Sequence, residues 1–279
     1  MGNRFIYLGL TVALLGCQQS EQTTSQLAAQ YPEIGTCEQL NAATLKLSGP
    51  IDDAMRDCAL ALLTPDITTV SVTTTGGEVF AGRAIGYKIG EHPRHLIIDD
   101  MCLSSCGNYF VPAAAKLTLL PRSVIGLHGA PDPHMLSNAE MENHMASLVE
   151  EGNVASEGLE RILKRKSERR DKQLAEEAKF AAHFNVPKGW RHYREAGEAD
   201  DGWRRHFTSG SDIGVTPDKF MIVEGPMLAS CLPQLETDGY QAELEATVLS
   251  DDTVWAELEE DMGAYRSFGL TCALDASAL

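Results

Sequence analysis

The sequence has little that would support a metal site or a nucleic-acid interface. It contains no Cys-x-x-Cys or His-x-x-x-His pair of the zinc-binding type, so nothing in it favours a bound metal. It is also poor in positive charge, with 23 Lys and Arg against 40 Asp and Glu and a net charge of −17. A globular domain of this charge is poorly suited to nucleic acid or an anionic lipid surface. We therefore expect no metal, no cofactor and no nucleic acid among its ligands.

The chain begins with a segment typical of a secretory signal. Arg4 precedes an apolar run over residues 5–15, which is too short to span a bilayer as a permanent helix. The run ends in Leu14-Leu15-Gly16-Cys17, which resembles the lipobox of bacterial lipoproteins. In those proteins the Cys becomes the lipidated first residue of the mature chain. We therefore predict that Cys17 carries a lipid anchor.

These features give the chain a predicted location. We expect a lipoprotein signal over residues 1–16 and a tether rich in Gln, Ser and Thr over residues 17–36. Such a composition is flexible enough to join a membrane to a folded domain. The protein would then lie in the periplasm of a bacterial cell envelope, held to a membrane by its N-terminal lipid. The alternative is an ordinary secretory signal, cleaved before Gln26.

Six cysteines remain once the predicted anchor is set aside. An even number in an exported chain favours disulfides over metal ligation, because the compartment is oxidising. Six cysteines allow fifteen pairings. Nearness in sequence suggests three pairs, namely Cys37 with Cys58, Cys102 with Cys106, and Cys231 with Cys272. A catalytic thiol at Cys106 is not favoured, since a partner cysteine lies four residues away.

Hydrophobic patterning predicts short strands that alternate with helices. We expect strands near residues 45–47, 67–73, 95–98, 117–120 and 124–128, and helices over residues 51–63, 80–89 and 105–115. Alternation of this kind implies crossover connections and a mostly parallel sheet. The predicted fold class is therefore α/β.

The organisation of the rest of the chain is predicted more coarsely. One domain is expected over residues 37–230, followed by an acidic C-terminal extension over residues 231–279. A helical arm is expected to be inserted at about residues 135–185, where charges of both signs follow one another. We interpret this arm as a solvated helix with many side-chain ion pairs rather than as a binding patch.

Three features of the sequence match the needs of a serine nucleophile. A serine hydroxyl attacks only when a base takes its proton, and the resulting oxyanion needs preorganised donors. Gly76-Gly77 ends a predicted strand, where the lack of side chains lets backbone amides approach a ligand. Ser105 begins a helix, whose N-terminal N–H groups favour an anion. His128 ends an apolar strand and supplies the candidate base.

Four motifs extend this pattern into a resemblance. They are Leu47-Ser48-Gly49-Pro50-Ile51; Thr75-Gly76-Gly77-Glu78-Val79 followed by Ala81-Gly82; Cys102-x-Ser104-Ser105-Cys106; and Ile125-Gly126-Leu127-His128-Gly129. Their order and spacing resemble the proteolytic subunit of the Clp protease and its exported relatives. The chain is therefore similar to the ClpP/crotonase superfamily, in particular to its periplasmic ClpP-like members. The match covers about residues 45–131, and residues 212–225 loosely.

The resemblance implies a specific architecture and assembly. The superfamily fold has a mostly parallel core sheet built from ββα units, with helices packed outside it. The inserted helical arm would be an addition to that core. Superfamily members assemble as trimers, hexamers or larger rings, so the resemblance also implies a homo-oligomer.

The resemblance places the nucleophile at one of two adjacent serines. Ser105 gives the Ser-x-Gly-x-aromatic pattern of the family through Gly107 and Tyr109, and it is the preferred assignment. Ser104 matches relatives that carry Cys-x-Ser-x-Cys, and it is the alternative. The amide after the preferred nucleophile belongs to Cys106.

The other site residues implied by the resemblance are a base, a carboxylate and oxyanion donors. His128 matches the family histidine, and the donors match Gly76 or Gly77 together with the Cys106 amide. The carboxylate that orients the histidine matches Asp212. Other carboxylates remain open for this role: Asp200, Asp201 and Asp218.

Two functions follow from these assignments. The first is an exported serine hydrolase, in particular a peptidase, that cleaves a peptide or protein through a Ser-His-Asp triad and an acyl-enzyme. The second is a catalytically inactive scaffold or binding protein anchored in the envelope on the same fold.

Overall fold

The computed structural model describes residues 34–127, 146, 159–191, 220–262, 264–267 and 272. They belong to one compact unit, Pro32–Leu279. Several predicted residues lie outside the described residues: Cys17, His128, Asp200, Asp201, Asp212 and Asp218. The predicted signal and nearly all of the predicted tether lie outside them as well.

The described residues form one mixed sheet. Its strands are β1 (Thr36–Asn41), β2 (Thr44–Ser48), β3 (Thr69–Thr74), β4 (His95–Leu103), β5 (Lys116–Leu119), β6 (Val124–Leu127), β7 (Met221–Ile222), β8 (Glu236–Thr237) and β9 (Tyr265–Arg266). The order is β1-β2-β3-β4-β6-β7-β9, with β5 beside β4 and β8 beside β5. Only the β1–β2 and β6–β7 pairs among these are antiparallel. The predicted α/β class with a mostly parallel sheet is confirmed.

Helices connect and cover the strands. They are α1 (Asp53–Leu62), α2 (Val79–Gly90), α3 (Ser105–Ala113), α4 (Leu159–Phe184), α5 (Lys188–Arg191), α6 (Gly225–Cys231), α7 (Tyr240–Leu244), which continues into a π-helical turn at Glu245–Leu249, and α8 (Asp252–Met262). In the part of the chain that the structure describes, no helix is both long and apolar enough to cross a membrane.

Strand β4 is longer than its sequence predicts, and it branches. Its first half, from His95, pairs with β5, and its last three residues, Met101 to Leu103, pair with β6. Asp100 lies between the halves at φ 86°, and its N–H donates to the Ser123 hydroxyl over 2.7 Å. The two consecutive aspartates interrupt the apolar pattern, which is why the sequence predicts a strand that ends at Ile98. The extension carries β4 to the residue before Ser104.

Gly82 and Gly86 of α2 let α3 approach closely, and Gly90, the third glycine of the row, makes room for Phe184 of α4. Gly82, Gly86 and Gly90 recur every four residues and therefore lie on one face of the helix. A Cβ at these positions would lie 3.0 Å from the Ser105 Cβ, 2.7 Å from the Tyr109 carbonyl oxygen and 3.4 Å from the Ala113 carbonyl oxygen, respectively. The contacts advance along both helices in the same direction. Helices α2 and α3 are therefore parallel and begin at the same edge of the sheet.

Helix α4, the described part of the predicted arm, packs on α2. Tyr87 of α2 contacts the rings of Phe180 and Phe184 of α4, with centroids 5.1 and 5.7 Å apart. The Arg83 guanidinium pairs with the Glu177 carboxylate, and both side chains are at most 4% exposed. The same carboxylate accepts a hydrogen bond from the Tyr109 hydroxyl of α3. A buried polar group shared by three helices therefore fixes the arm to the core.

A buried arginine caps the C-terminal ends of α1 and α2. Arg94 is 1% exposed and donates to five backbone carbonyls, those of Leu63, Thr64, Ile67, Lys88 and Ile89. The last carbonyls of a helix lack intrahelical partners, and a cation there also meets the negative end of the helix dipole. Burial lowers the pKa of this guanidinium. Arg94 therefore satisfies two helix ends at once.

Three disulfides join Cys37 to Cys58, Cys102 to Cys106 and Cys231 to Cys272. These are the pairs that nearness in sequence suggests. The last one ties the end of α6 to the C-terminal region, which also contributes β8 and β9 to the sheet. Disulfides persist mainly in oxidising compartments, so their presence favours such an environment.

Candidate active site

Two adjacent parallel strands bring the predicted glycine turn and serine turn together. Thr74, the last residue of β3, lies opposite Cys102 near the end of β4. Because the strands are parallel, Gly76 and Ser104 emerge at the same edge of the sheet. A Cβ placed on Gly76 would lie only 2.5 Å from the Ser104 Cβ. The two motifs, 28 residues apart in sequence, therefore form one site.

The glycine turn is held in place by hydrogen bonds on one side. The Ile51 N–H donates to the Gly76 carbonyl, and the Glu78 N–H donates to the Ile51 carbonyl, both over 2.8 Å. The Gly76 N–H donates to the buried Thr74 hydroxyl over 3.1 Å. Gly76 and Gly77 have φ values of 86° and 148°, which L side chains rarely adopt. Glycine is therefore required at both positions.

Gly77 presents its own polar groups away from Ile51. Ile51 bonds to the Gly76 carbonyl and to the Glu78 N–H, the groups on either side of Gly77. In a parallel bridge of this kind the N–H and C=O of Gly77 itself point away from Ile51. Its carbonyl accepts a hydrogen bond from the Ser105 hydroxyl over 2.8 Å. Gly77 is exposed, so its backbone faces the serine turn where a ligand has access.

Ser104 has the geometry of a strained and accessible turn residue. Its backbone lies at φ 52° and ψ −119°, a region that a non-glycine residue occupies at a cost of about 1–3 kcal/mol. All other residues from Met101 to Ala114 are buried, and Ser104 alone in that stretch is half-buried. Its N–H donates to the Gly126 carbonyl of β6 over 2.9 Å. The sharp strand-to-helix turn thus brings one hydroxyl towards the surface.

Ser105, by contrast, is a structural residue of the turn. Its side chain packs against α2, where a Cβ at Gly82 would lie 3.0 Å away, and the residue is 2% exposed. Its hydroxyl is engaged by the Gly77 carbonyl. The structure therefore gives the two candidate serines different environments, since Ser105 joins the helix to the glycine turn and Ser104 reaches the surface.

Backbone donors are available beside Ser104. Ser105 is the first residue of α3, and the first four N–H groups of a helix have no intrahelical acceptor. A Cβ on Gly76 would lie 3.1 Å from the Ser105 nitrogen, so the glycine keeps the approach to this amide open. The Ser105 amide thus directly follows Ser104 beside Gly76, and the Gly77 backbone contacts the same serine turn through its carbonyl. The Cys106 amide is one residue further along the helix.

A disulfide spans the serine turn. Cys102 lies at the end of β4 and Cys106 in the first turn of α3, and both are fully buried. The bond joins the residues two before and two after Ser104, so the turn is closed covalently. Both cysteines are buried, so the bond is shielded from solvent.

The structure brings together the predicted residues Gly76, Gly77, Ser104, Ser105 and Cys106. The predicted base His128 and carboxylate Asp212 lie outside the described residues, although β6 ends at Leu127, directly before His128. Among the described residues no group of three or more His, Cys, Asp or Glu could hold a metal ion.

Two supporting residues of the site were given no role there by the sequence analysis. Thr74 holds Gly76 through its hydroxyl, and a threonine that ends a β-branched strand carries no sequence signal for such a role. Ile51 holds the glycine turn through its backbone. Its position at the end of the Leu47–Ile51 motif could have indicated this contact.

The similarity of this chain to known proteins is limited to structure. No protein-family model and no curated protein matches the chain. An Asn-to-Asp mutant of ClpP1 from Listeria monocytogenes is similar with a TM-score of 0.30 and 17% identity, over 37% of this chain and 63% of that protein. An enoyl-CoA hydratase/isomerase from Acinetobacter baumannii is similar with a TM-score of 0.26 and 10% identity, over 33% of this chain and 51% of that protein. The chain thus spans less than two thirds of the length of either protein.

Proposed function

We propose that this protein is a serine hydrolase that cleaves peptides or esters through an acyl-enzyme, with Ser104 as the nucleophile. The main support for this proposal is the environment of Ser104. It is the one half-buried residue between Met101 and Ala114, and its backbone lies at a positive φ. A strained turn of this kind presents a nucleophile at the tip of a sheet. The sequence favoured Ser105 as the nucleophile, with Ser104 as the alternative. Because Ser105 is buried and its hydroxyl is hydrogen-bonded, we now assign the nucleophile to Ser104.

The proposed oxyanion donors are the Gly77 and Ser105 amides. They are backbone groups fixed by the sheet, the helix and the Ile51 hydrogen bonds, so no reorganisation is needed as charge develops. The Ser105 amide takes the place of the Cys106 amide once Ser104 is the nucleophile. The positive end of the α3 dipole adds to the stabilisation.

The proposed base is His128, oriented by Asp212. The main-chain bond from Ser104 to Gly126 supports this assignment, because Gly126 precedes His128 by two residues. In the proposed cycle His128 takes the Ser104 proton as the hydroxyl attacks the carbonyl carbon, and it then protonates the leaving amine or alcohol. Water next attacks the acyl-enzyme with His128 as base, which releases the acid and restores Ser104.

A fluorophosphonate probe tests the assignment of the nucleophile. The full chain is incubated with the probe and digested, and the fragment that contains both serines is sequenced by mass spectrometry. We expect the phosphonyl group on Ser104, and we expect the Ser105→Ala variant to be labelled at the same residue. An adduct on Ser105 would overturn the assignment to Ser104. No adduct on either serine would overturn the hydrolase and favour the inactive scaffold.

Loss of the Cys102–Cys106 disulfide should affect labelling more than stability. In the Cys102→Ala/Cys106→Ala variant the turn can relax from the positive φ of Ser104, so we expect the labelling rate to fall by about tenfold or more. The closed loop is short, and the chain-entropy model gives a loss of only about 2 kcal/mol in the free energy of unfolding.

The matched control is Cys231→Ala/Cys272→Ala, which removes a disulfide that spans 41 residues. The same model gives a loss of about 4 kcal/mol for this pair, and we expect no change in labelling rate while the protein is folded. Labelling reactions quenched at successive times give the labelling rate, and urea unfolding gives the free energy of unfolding. Equal labelling rates in the two variants would show that the Cys102–Cys106 bond does not hold the turn.

A further inference from the structure

Helix α4 is basic in a strongly acidic protein. It contains eight Lys and Arg against five Asp and Glu, so the rest of the chain carries a net charge of −20. The excess lies in its N-terminal part, where Leu159 to Lys172 has seven Lys and Arg against three Asp and Glu. Six of those seven basic residues are exposed. This segment therefore creates a local positive potential on a protein whose net charge is strongly negative.

Four of the basic residues share one face of the helix. Arg161, Arg165, Arg169 and Lys172 occur at spacings of four, four and three residues, and at 3.6 residues per turn they form a continuous row. This row is called the basic stripe below. It is distinct from the faces that carry Lys164 and Lys166.

Contacts of the basic stripe place it against the first turn of α2. The Lys172 Nζ and the Arg169 guanidinium lie 5.7 and 6.0 Å from the Phe80 ring centroid. Arg169 also lies 4.0 Å from the carboxylate of Glu78, the residue that follows Gly77. The stripe therefore reaches the glycine turn of the proposed site.

The remaining part of the basic stripe extends past the edge of the sheet. Contacts between α2 and α4 advance in the same direction, from Phe80 with Arg169 to Tyr87 with Phe184, so the two helices are parallel. The ten residues of α4 before Arg169 then project about 15 Å beyond the start of α2. That start lies at the edge where Ser104 emerges. Arg161 and Arg165 belong to this projecting part of α4, on the side of the sheet where Ser104 emerges.

In contrast to the sequence-based interpretation of the arm as a solvated helix, we propose that the basic stripe binds acidic segments of polypeptide substrates and directs them to Ser104. The inference rests on the proposed hydrolase function and names its substrate class. Glutamate and aspartate side chains on an extended peptide can pair with successive basic residues of the row. An anionic bilayer carries similar charge, but its large flat surface would also face the acidic remainder of the chain, which opposes binding. A short acidic segment avoids that repulsion.

The test separates binding from hydrolysis by using the full-length Ser104→Ala protein. Its affinity is measured by fluorescence anisotropy for a labelled peptide of alternating Glu and Gly, with Ser-Gly and Lys-Gly peptides of equal length for comparison. We expect binding of the Glu-Gly peptide only, with a marked loss of affinity when the salt concentration is raised about tenfold. Equal affinity for the three peptides would overturn the proposal.

Two matched variants locate the binding surface. Arg161→Gln/Arg165→Gln removes two charges from the basic stripe, and Lys164→Gln/Lys166→Gln removes two charges from other faces of the same helical segment. We expect the first variant to bind the acidic peptide about five- to tenfold more weakly and the second less than twofold. Equal losses would overturn the stripe as the binding surface.

The remaining outcomes distinguish the two proposals and the rival ligand. If the acidic peptide binds through the stripe but no serine adduct forms with a fluorophosphonate, the hydrolase fails and the binding surface stands. If an adduct forms and the acidic peptide does not bind, the substrate class fails alone. Co-sedimentation with phosphatidylglycerol vesicles tests the lipid alternative, and stripe-dependent vesicle binding without peptide binding would overturn the proposal.

Discussion

Replacing Ser104 with alanine is expected to lower kcat/KM for hydrolysis by about 10⁴-fold or more. Removal of a nucleophile in a triad eliminates the covalent route and leaves only the contribution of binding and oxyanion stabilisation. The substrate is an activated p-nitrophenyl ester or an acidic peptide, and the rate is compared with the reaction in buffer alone. The effect is large because Ser104 combines a strained backbone with the accessible hydroxyl of the turn, whereas Ser105 is buried.

Ser105→Ala is the matched control, since it removes a hydroxyl from the adjacent residue. The lost hydrogen bond to the Gly77 carbonyl is worth about 1 kcal/mol, so we expect a decrease in kcat/KM of about tenfold or less. Ser104→Cys keeps a nucleophile and should retain more covalent reactivity than Ser104→Ala. If Ser105→Ala were the more damaging substitution, the roles of the two serines would be the reverse of those proposed.

Replacing Glu177 with leucine is expected to lower the free energy of unfolding by about 3–5 kcal/mol. The substitution leaves the Arg83 guanidinium buried without its carboxylate, and an uncompensated buried charge is costly. The Tyr109 hydroxyl loses the same acceptor. Urea unfolding followed by circular dichroism measures the change.

Glu176→Gln is the control, because Glu176 is the neighbouring residue on the same helix. It pairs at the surface with Lys179, whose hydrogen bond lowers the pKa of the Glu176 carboxyl, and exposed ion pairs contribute little to stability. The double variant Arg83→Met/Glu177→Leu should recover much of the lost stability, since apolar residues of similar volume can replace a buried ion pair. No recovery would show that the main cost arises elsewhere, for instance at Tyr109.

The sequence predicts the α/β class because its periodicity is local. Apolar alternation in residues 69–74 and helical spacing in residues 79–90 define elements whose types do not depend on distant contacts. Nearness also suggests the three cysteine pairs that the structure contains. Strand β4 was underestimated because Asp99 and Asp100 resemble a strand end, whereas the partner change from β5 to β6 lets the strand continue.

The candidate site is only partly predictable from sequence. The motifs indicate Gly76-Gly77 and the pair of serines, because glycine in tight turns and serine at a helix start have local signatures. The parallel pairing of β3 and β4 brings these motifs within contact distance. That pairing depends on hydrogen bonds between residues far apart in the chain, so no local pattern could establish it.

The sequence by itself indicated most of the elements between residues 44 and 127, the glycine turn and the two candidate serines. The tertiary structure decided how those serines differ, because burial depends on what packs against each side chain. Gly82 of α2 and the Gly77 carbonyl enclose Ser105, while the strand-to-helix turn leaves Ser104 half-buried. The basic character of α4 is visible in its sequence. Its place beside the site follows only from the contacts of Phe80, Arg83 and Tyr87 with the arm.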